Sequence, residues 1–372
     1  MIKEKVRNSN LELYRIIVML LIVAHHYVVN SGLVSVGGPI ISNPMSLKSL
    51  FLLLFGAWGK TGINCFVMIT GYFMCKSKIT LKKFMKLLLQ IMFYRILIKV
   101  VFSIFLYEPL TIGGFFSTLI PIRTVGTGFS AAFLLFFLFI PFLNILVGNM
   151  NEKQHILLLM LVSFTYIFLG TVPSFSVTMN YVSWFVVLYF IASYIRMYPK
   201  KIFNNTKFWG WTSLILIIIA SLSVIACAYI SKRLNISLWY RFVQDSNTLL
   251  AVLIGVSSFV FFKNIKMKHY PVINSISSTC FGVFLIHSNS DTMRRWLWMD
   301  TLDNVGMYNS DFLIPHAILS VLGVFVICSV IDIIRIKLIE TPFFKFYDKK
   351  HDKLQVWFDK KVTLLCDKLN VK

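Results

Sequence analysis

Apolar runs of about twenty residues follow one another along almost the whole chain, and short segments between them carry most of the charge. About twenty apolar residues in a helix span the hydrocarbon core of a bilayer. In lipid each backbone polar group needs a partner within the protein, so such runs form helices. With 57% hydrophobic residues and a mean hydropathy of +0.76, the sequence predicts an all-α, polytopic membrane helix bundle rather than a soluble domain.

About ten transmembrane helices are predicted from these runs. They lie near residues 12–30, 50–74, 84–106, 129–148, 154–171, 181–197, 210–230, 247–263, 275–290 and 311–336. Residues 1–340 are therefore predicted to form one transmembrane domain. Residues 341–372 mix aromatic residues with lysine, which suits a basic amphipathic tail on the inner membrane surface.

Lys and Arg are concentrated in alternate connecting segments, such as Lys76 to Lys86 and Lys263 to Lys268. The positive-inside rule then places both termini in the cytoplasm, which requires an even number of spans. A net charge of +22 suggests nucleic acid at first sight. We exclude nucleic acid as a partner because the cations lie in short segments beside the membrane, where they contact anionic lipid of the bilayer.

Six scattered cysteines show neither metal-ligand spacing nor a disulfide framework, so no metal site is predicted. The first apolar run lacks a small-residue cleavage site and contains Arg15, His25 and His26. We interpret it as a retained helix rather than a signal peptide.

Glu12, Arg15 and His26 interrupt the first apolar run with titratable groups. The spacing of Arg15 and His26 places both on one helix face, about 16 Å apart. Such groups are costly in a membrane, so each marks a functional-site hypothesis. A neutral imidazole can remove a proton from a hydroxyl near neutral pH, so His26 is the predicted general base. His25 points about 100° away and is interpreted as structural.

Arg15 can bind phosphate groups of an acyl donor, or hold an oxyanion or carboxylate, and Glu12 can pair with it one turn away. The alternative is that Arg15 reaches the inner head groups and Glu12 caps the helix. The basic inner segment adds Lys82, Lys83 and Lys86 as predicted donor-binding residues, because lysines there attract phosphates. The alternative for these lysines is that they only set the topology.

Polar residues in the second, third and ninth spans are predicted to bind substrate. In the second span the small residues also permit a broken helix or close helix packing, and packing is the alternative interpretation. A cation in the third span favours a lined cavity, and a histidine near the end of the ninth span is either structural or able to orient a substrate. The predicted residues are Asn64, Thr70, Tyr72, Arg95 and His287.

Four separated stretches together resemble the acyltransferase-3 family of membrane acyltransferases, which modify bacterial surface glycans. They cover nearly the whole chain in the family's order. Leu11-Glu-Leu-Tyr-Arg with His26 resembles the acidic residue and Arg-x10-His signature, and Thr61 to Tyr72 resembles the second-helix motif. Ser278 to His287 resembles the late S-x-x-[ST]-[FY] segment, and Ile339-Glu-Thr-Pro resembles the E-x-P that follows the last helix.

Three features depart from the family pattern. Thr70 stands where Ser is usual, Cys65 replaces an apolar residue, and lysines without a proline replace the Arg-rich start of the third helix. The fused extracytoplasmic hydrolase-like domain of some members is absent from this sequence.

The resemblance implies a multi-pass protein of the bacterial plasma membrane. It implies transfer of an acyl group, usually acetyl, from cytosolic acyl-coenzyme A to a hydroxyl of an exopolysaccharide, capsule or other envelope glycan. Acetyl-coenzyme A is then a donor substrate rather than a permanently bound cofactor. His26 is the catalytic residue by this resemblance, and Arg15 is its partner.

The acceptor is then a glycan or lipid-linked glycan, and glycan-assembly proteins are conceivable partners. Two alternatives remain open: a membrane transporter or polysaccharide-export component, and a succinyltransferase of the same family. An acceptor other than sugar, such as a lipid or an amino acid, is a third. The absence of an internal repeat disfavours a transporter built from duplicated halves.

Overall fold

The computed structural model describes residues 8–109, 111–126, 128–172, 174–175, 177, 179–350, 356–357, 360–361 and 363–364. Helices account for 77% of the residues, and the described part of the chain forms no strand, which confirms the all-α prediction. The helices are α1 (Ser9–Val29), α2 (Pro39–Ser42), α3 (Leu47–Gly56), α4 (Gly59–Met74), α5 (Leu81–Ile104), α6 (Ile112–Leu119), α7 (Phe129–Asn149), α8 (Glu152–Val162), α9 (Leu169–Thr171), α10 (Tyr181–Met197), α11 (Thr206–Leu234), α12 (Leu249–Asn264), α13 (Pro271–Ser278), α14 (Cys280–His287), α15 (Asp291–Arg295), α16 (Leu313–Arg335) and α17 (Thr341–Lys350).

Several helices follow each other with little or no interruption. Turns of π-helix at Ser163–Phe168 and Ile336–Glu340 join α8 to α9 and α16 to α17, and a third π turn, Trp296–Thr301, extends α15. Short 3₁₀ turns lie at Lys201–Asn204 and Gly306–Asn309. Thr279 alone separates α13 from α14, where the ninth predicted span is polar.

Seven helical stretches in the described residues are long and apolar enough to cross a membrane. They are Ser9–Val29, Leu47–Met74, Leu81–Ile104, Phe129–Asn149, Glu152–Thr171, Thr206–Leu234 and Leu313–Lys349. The other three predicted spans coincide with shorter apolar helices, Tyr181–Met197, Leu249–Asn264 and Pro271–His287. The chain is thus a multi-pass helical protein, while ten spans and the orientation of the termini stay predictions. Most of the predicted tail, 351–372, lies outside the described residues except for three short pairs.

Large apolar side chains cover the outward faces of several long helices. Phe142 on α7, Leu222 on α11 and Leu319 on α16 are all exposed. Exposed apolar surface of this extent is unfavourable in water, but it matches a hydrocarbon solvent. The burial pattern therefore supports insertion in a membrane.

The first helix, α1, lies at the centre of the bundle and contacts α3, α4, α12, α13, α14 and α16. Glycines on α4 permit the close approach of that helix. A Cβ on Gly62 would lie 2.9 Å from Cγ1 of Ile22, and a Cβ on Gly59 would lie 2.2 Å from Cγ of His25. Because only glycine fits at these positions, α4 packs directly against the half of α1 that carries the two histidines.

Candidate active site

His26 is joined to His287 by a hydrogen bond between two imidazole rings. The Nδ1 atom of His26 lies 2.9 Å from Nε2 of His287, and Nδ1 of His287 lies 2.6 Å from the carbonyl oxygen of Val283. A carbonyl oxygen only accepts hydrogen bonds, so Nδ1 of His287 carries the proton. In a neutral ring Nε2 of His287 is then an acceptor, and Nδ1 of His26 is the donor.

This chain of hydrogen bonds fixes the tautomer of His26. With its proton on Nδ1, neutral His26 has an unprotonated Nε2 atom, which can accept a proton. Helix α14 sets this geometry because Val283 lies one helical turn before His287 and holds its ring. His287 itself is fully buried.

His26 lines a cavity of about 670 Å³, and His287 does not. The cavity lies between the C-terminal half of α1, the start of α4, the second half of α5 and the segments that follow α5 and α14. Its volume is in the range of sites for small ligands. The arrangement therefore presents a base to the cavity and places the group that orients this base behind it.

His25, interpreted from the sequence as structural, also lines the cavity. Its Nδ1 atom lies 2.6 Å from the carbonyl oxygen of Gly56 at the end of α3, so this nitrogen donates to the carbonyl. The ring packs against Gly59. His25 thus differs from His26 in its partner, a backbone carbonyl rather than a second imidazole.

Six charged side chains line the same cavity. Four are cations and two are carboxylates: Lys60, Arg95, Lys99, Arg294, Glu108 and Asp291. Lys99 pairs with Glu108 at 2.5 Å, and Arg294 pairs with Asp291 at 3.2 Å. Sequence reasoning assigned no role in the site to Lys60 or Arg294. The one available signal was that Lys60 lies within the second apolar run.

Arg95, a predicted substrate-binding residue, lies on the cavity wall. Its guanidinium donates to the carbonyl oxygens of Ser117 and Thr118, each at 3.0 Å, at the end of α6. A cation at a helix C-terminus offsets the helix dipole. Arg95 therefore also anchors α6 against α5.

Arg15 and Glu12 form a second polar cluster, nearer the N-terminus of α1. Arg15 pairs with Glu12 at 2.7 Å, and the hydroxyl of Ser277 on α13 donates to the same carboxylate oxygen. The Arg15 guanidinium lies 6.0 Å from the ring centre of Phe66. Arg15 does not line the cavity that contains His26.

A constriction of apolar side chains lies between the cavity and Arg15. It encloses about 10 Å³, which is room for roughly one water molecule. Ile22, Ile63, Phe129 and Phe284 line both this space and the large cavity, while Phe66 connects it to Arg15. The walls of the constriction are Met19, Ile22, Ile63, Phe66, Phe129, Phe281 and Phe284.

Asn64, Thr70 and Tyr72, predicted to bind substrate, do not line the cavity. The amide of Asn64 is fully buried, where it accepts from Trp184 at 2.9 Å and donates to the carbonyl of Ser246 at 2.7 Å. Thr70 donates to a backbone carbonyl one turn earlier on α4, and the Tyr72 hydroxyl accepts from a guanidinium on α10. Their contacts correspond to the alternative interpretation, helix packing, and the cavity geometry gives no support to their predicted role.

The lysines predicted to bind the donor have partners within the chain. Lys82 pairs with Asp348 at 2.7 Å, Lys86 pairs with Glu340 at 2.6 Å, and Lys83 donates to Ser77 and to the carbonyl of Lys78. All three lie outside the cavity that contains His26. Their role toward a donor stays a prediction.

Glu340, from the E-x-P stretch, belongs to an ionic network around the end of α16. It accepts from Arg335 at 2.7 Å as well as from Lys86, and Arg335 donates to Asp332 at 2.6 Å. Tyr94 on α5 donates to the same oxygen of Asp332 at 2.7 Å. The network thus fastens the last long helix to α5.

The multi-pass helical fold is that of a membrane protein, and the profile of an acyltransferase domain matches residues 8–333. The chain belongs to the acyltransferase-3 family. The match covers most of the chain, from the start of α1 to the end of α16. Comparison with curated proteins and with solved structures gives no match.

Proposed function

We propose that this protein is an O-acyltransferase of the bacterial plasma membrane, which transfers an acyl group from cytosolic acyl-coenzyme A to a hydroxyl of an envelope glycan. Acetyl is the proposed acyl group. The observation that carries the proposal is the free Nε2 atom of His26 on the wall of a cavity, with its proton held on Nδ1 by His287. The family supports the acyltransferase activity itself.

In the proposed reaction, Nε2 of His26 takes the proton of the acceptor hydroxyl while the hydroxyl oxygen attacks the thioester carbonyl. A carbon–oxygen bond forms, the carbon–sulfur bond breaks, and the imidazolium returns the proton to the departing thiolate of coenzyme A. His287 accepts a hydrogen bond from Nδ1 throughout, so the ring keeps its orientation. Base catalysis of this kind contributes about 10²–10⁴-fold to the rate.

The Glu12–Arg15 cluster is proposed to act on the donor. Arg15 is a fixed cation on the side of the constriction away from the cavity, where a phosphate or the thioester oxygen would find a hydrogen-bond donor. In the predicted orientation this side faces the cytoplasm, so donor and acceptor enter from opposite ends. The acyl end of the donor must then displace apolar side chains of the constriction to reach His26.

The proposal is tested by supplying radiolabelled acetyl-coenzyme A to membranes and measuring label on glycan. The His26→Ala variant should lose transfer by about 10²–10⁴-fold because no base remains at the cavity wall. His269→Ala is the matched control, since His269 is exposed in the segment between α12 and α13. Size-exclusion chromatography of both purified variants checks that they fold.

Full transfer by a folded His26→Ala protein would contradict the mechanism. Movement of glycan without label on it would instead indicate the transporter or export alternative. Mass spectrometry of the labelled glycan separates acetyl from succinyl transfer by the added mass, and identifies an acceptor that is a lipid or an amino acid.

A further inference from the structure

The charges of the large cavity point to an acceptor that carries an oxyanion, a phosphate or a carboxylate, close to the hydroxyl that is acylated. We infer that Lys60 and Arg294 bind this oxyanion. The inference rests on the proposed function, because it concerns the acceptor that His26 would deprotonate. It defines a chemical class of acceptor that the family match does not specify.

The cavity wall carries more positive than negative charge. Four cations face two carboxylates, so the lining has a formal charge of +2. The Lys99–Glu108 pair is close, at 2.5 Å, and neutralises itself. The carboxylate of Asp291 is 96% exposed and lies 3.2 Å from Arg294, so water screens this pair strongly.

Lys60 and Arg294 have hydrogen-bonding capacity that the described residues do not fill. The amine of Lys60 donates to the neutral hydroxyl of Tyr181 at 2.9 Å and lies 5.6 Å from the centre of the same ring. An ammonium has three donors, and no carboxylate within the described chain pairs with this one. The Nε atom of Arg294 is buried and has no hydrogen-bond partner among the described residues.

Structural roles account for the other two cations. Arg95 caps the carbonyls at the end of α6, and Lys99 pairs with Glu108. Lys60 has no carboxylate partner among the described residues, and Arg294 keeps an unpartnered Nε atom beside a carboxylate that water screens. Holding such cations within a membrane bundle is costly, and a bound anion offsets this cost through charge-assisted hydrogen bonds.

Both cations lie on segments that adjoin the two histidines. Lys60 follows Gly59, which packs on the ring of His25, and Arg294 lies on the short helix after His287. Both line the same cavity as His26. An anion bound by these cations would share the cavity with the imidazolium that forms during proton transfer, and its negative charge would stabilise that imidazolium. An anionic acceptor should therefore bind more tightly than a neutral one and should also be acylated faster.

The test uses three short oligosaccharides that share one backbone: a neutral one, one with a uronate carboxylate, and one with a phosphate ester. Purified protein in proteoliposomes receives radiolabelled acetyl-coenzyme A and each acceptor in turn. At least one anionic oligosaccharide should exceed the neutral one by about ten-fold or more in kcat/KM. The carboxylate and phosphate arms show which oxyanion the cavity accepts.

Lys60→Gln and Arg294→Gln should each lower the ratio of kcat/KM for the anionic oligosaccharide to kcat/KM for the neutral one toward unity. Lys60→Arg and Arg294→Lys keep the charge and should retain the preference. Lys232→Gln is the matched control, because Lys232 is an exposed cation on the last turn of α11, outside the cavity. Equilibrium binding of the three oligosaccharides to the same proteins gives a readout that does not depend on transfer.

Equal affinity and equal kcat/KM for the neutral and anionic oligosaccharides would overturn the inference, as would an anion preference that survives both Gln variants. In that case label transfer that still requires His26 leaves the proposed function intact. Anion-selective binding without any transfer by the intact protein would have the opposite meaning: the inference would stand and the proposed reaction would fail.

Discussion

A single residue, His287, determines which nitrogen of His26 is free. The carbonyl of Val283 fixes the proton of His287 on Nδ1, and this leaves Nε2 to accept from His26. The sequence predicted His26 as the base from its position in an apolar run. For His287 the sequence left two interpretations open, a substrate contact or a structural residue. The hydrogen bond between His26 and His287 could not be predicted because it joins residues 261 positions apart.

Substitution of His287 should distinguish a positioning role from a merely structural one. His287→Leu removes the acceptor for Nδ1 of His26 and should lower transfer by roughly 10–100-fold, the loss found when a group that orients a metal-binding histidine is removed. His287→Gln keeps an acceptor oxygen and an amide donor and should restore most of the rate. The measurement is label transfer by folded protein. Equal losses in the two variants would contradict the positioning role.

At the scale of elements, the sequence predicted most helices and allowed a broken helix in the second span, but it did not locate the break. The second predicted span, 50–74, is divided in the structure into α3 and α4 around Ala57 and Trp58. Glycines at 56 and 59 flank this break, and composition alone could not show that they meet α1. Asn64 and Tyr72 lie outside the cavity because neighbouring helices decide which face of α4 meets it, and their role toward a substrate stays a prediction.

The close contact between α4 and α1 should be sensitive to one methyl group. Gly59→Ala places a Cβ about 2.2 Å from the His25 ring, so the helices must separate, and the free energy of unfolding should fall by about 1–3 kcal/mol. Gly323→Ala on α16 is the control, because nothing lies within 4 Å of its Cβ position. That change should stabilise the helix by roughly 0.5–1 kcal/mol. Thermal unfolding in detergent compares the two, and equal midpoints would contradict the packing argument.

For the whole molecule, the distribution of Lys and Arg predicts the orientation that the proposed reaction needs. In this orientation the segment after α11 lies outside and the segment after α12 lies in the cytoplasm. The bundle and its hydrophobic surface could be predicted because membrane insertion depends on composition over long windows. The cavity could not, because it is formed by residues from segments that only the three-dimensional packing brings together.

Labelling in intact cells tests the orientation. Ser237→Cys and Lys268→Cys, both exposed, are introduced separately into a chain whose six cysteines are replaced by alanine. A maleimide that does not cross membranes should label Ser237→Cys only, whereas both variants should react after permeabilisation. The reverse pattern would place the termini outside and would contradict donor entry from the cytoplasm.

The apolar constriction between His26 and Arg15 also bears on the electrical insulation of the cell. A protein with a polar cavity at one end and an ionic cluster at the other would conduct ions if water connected them. Seven apolar side chains line this constriction, which has room for about one water, and narrow hydrophobic constrictions can block ions by dewetting. We therefore expect the protein in proteoliposomes to hold an imposed membrane potential both without a donor and while a donor chain occupies the constriction.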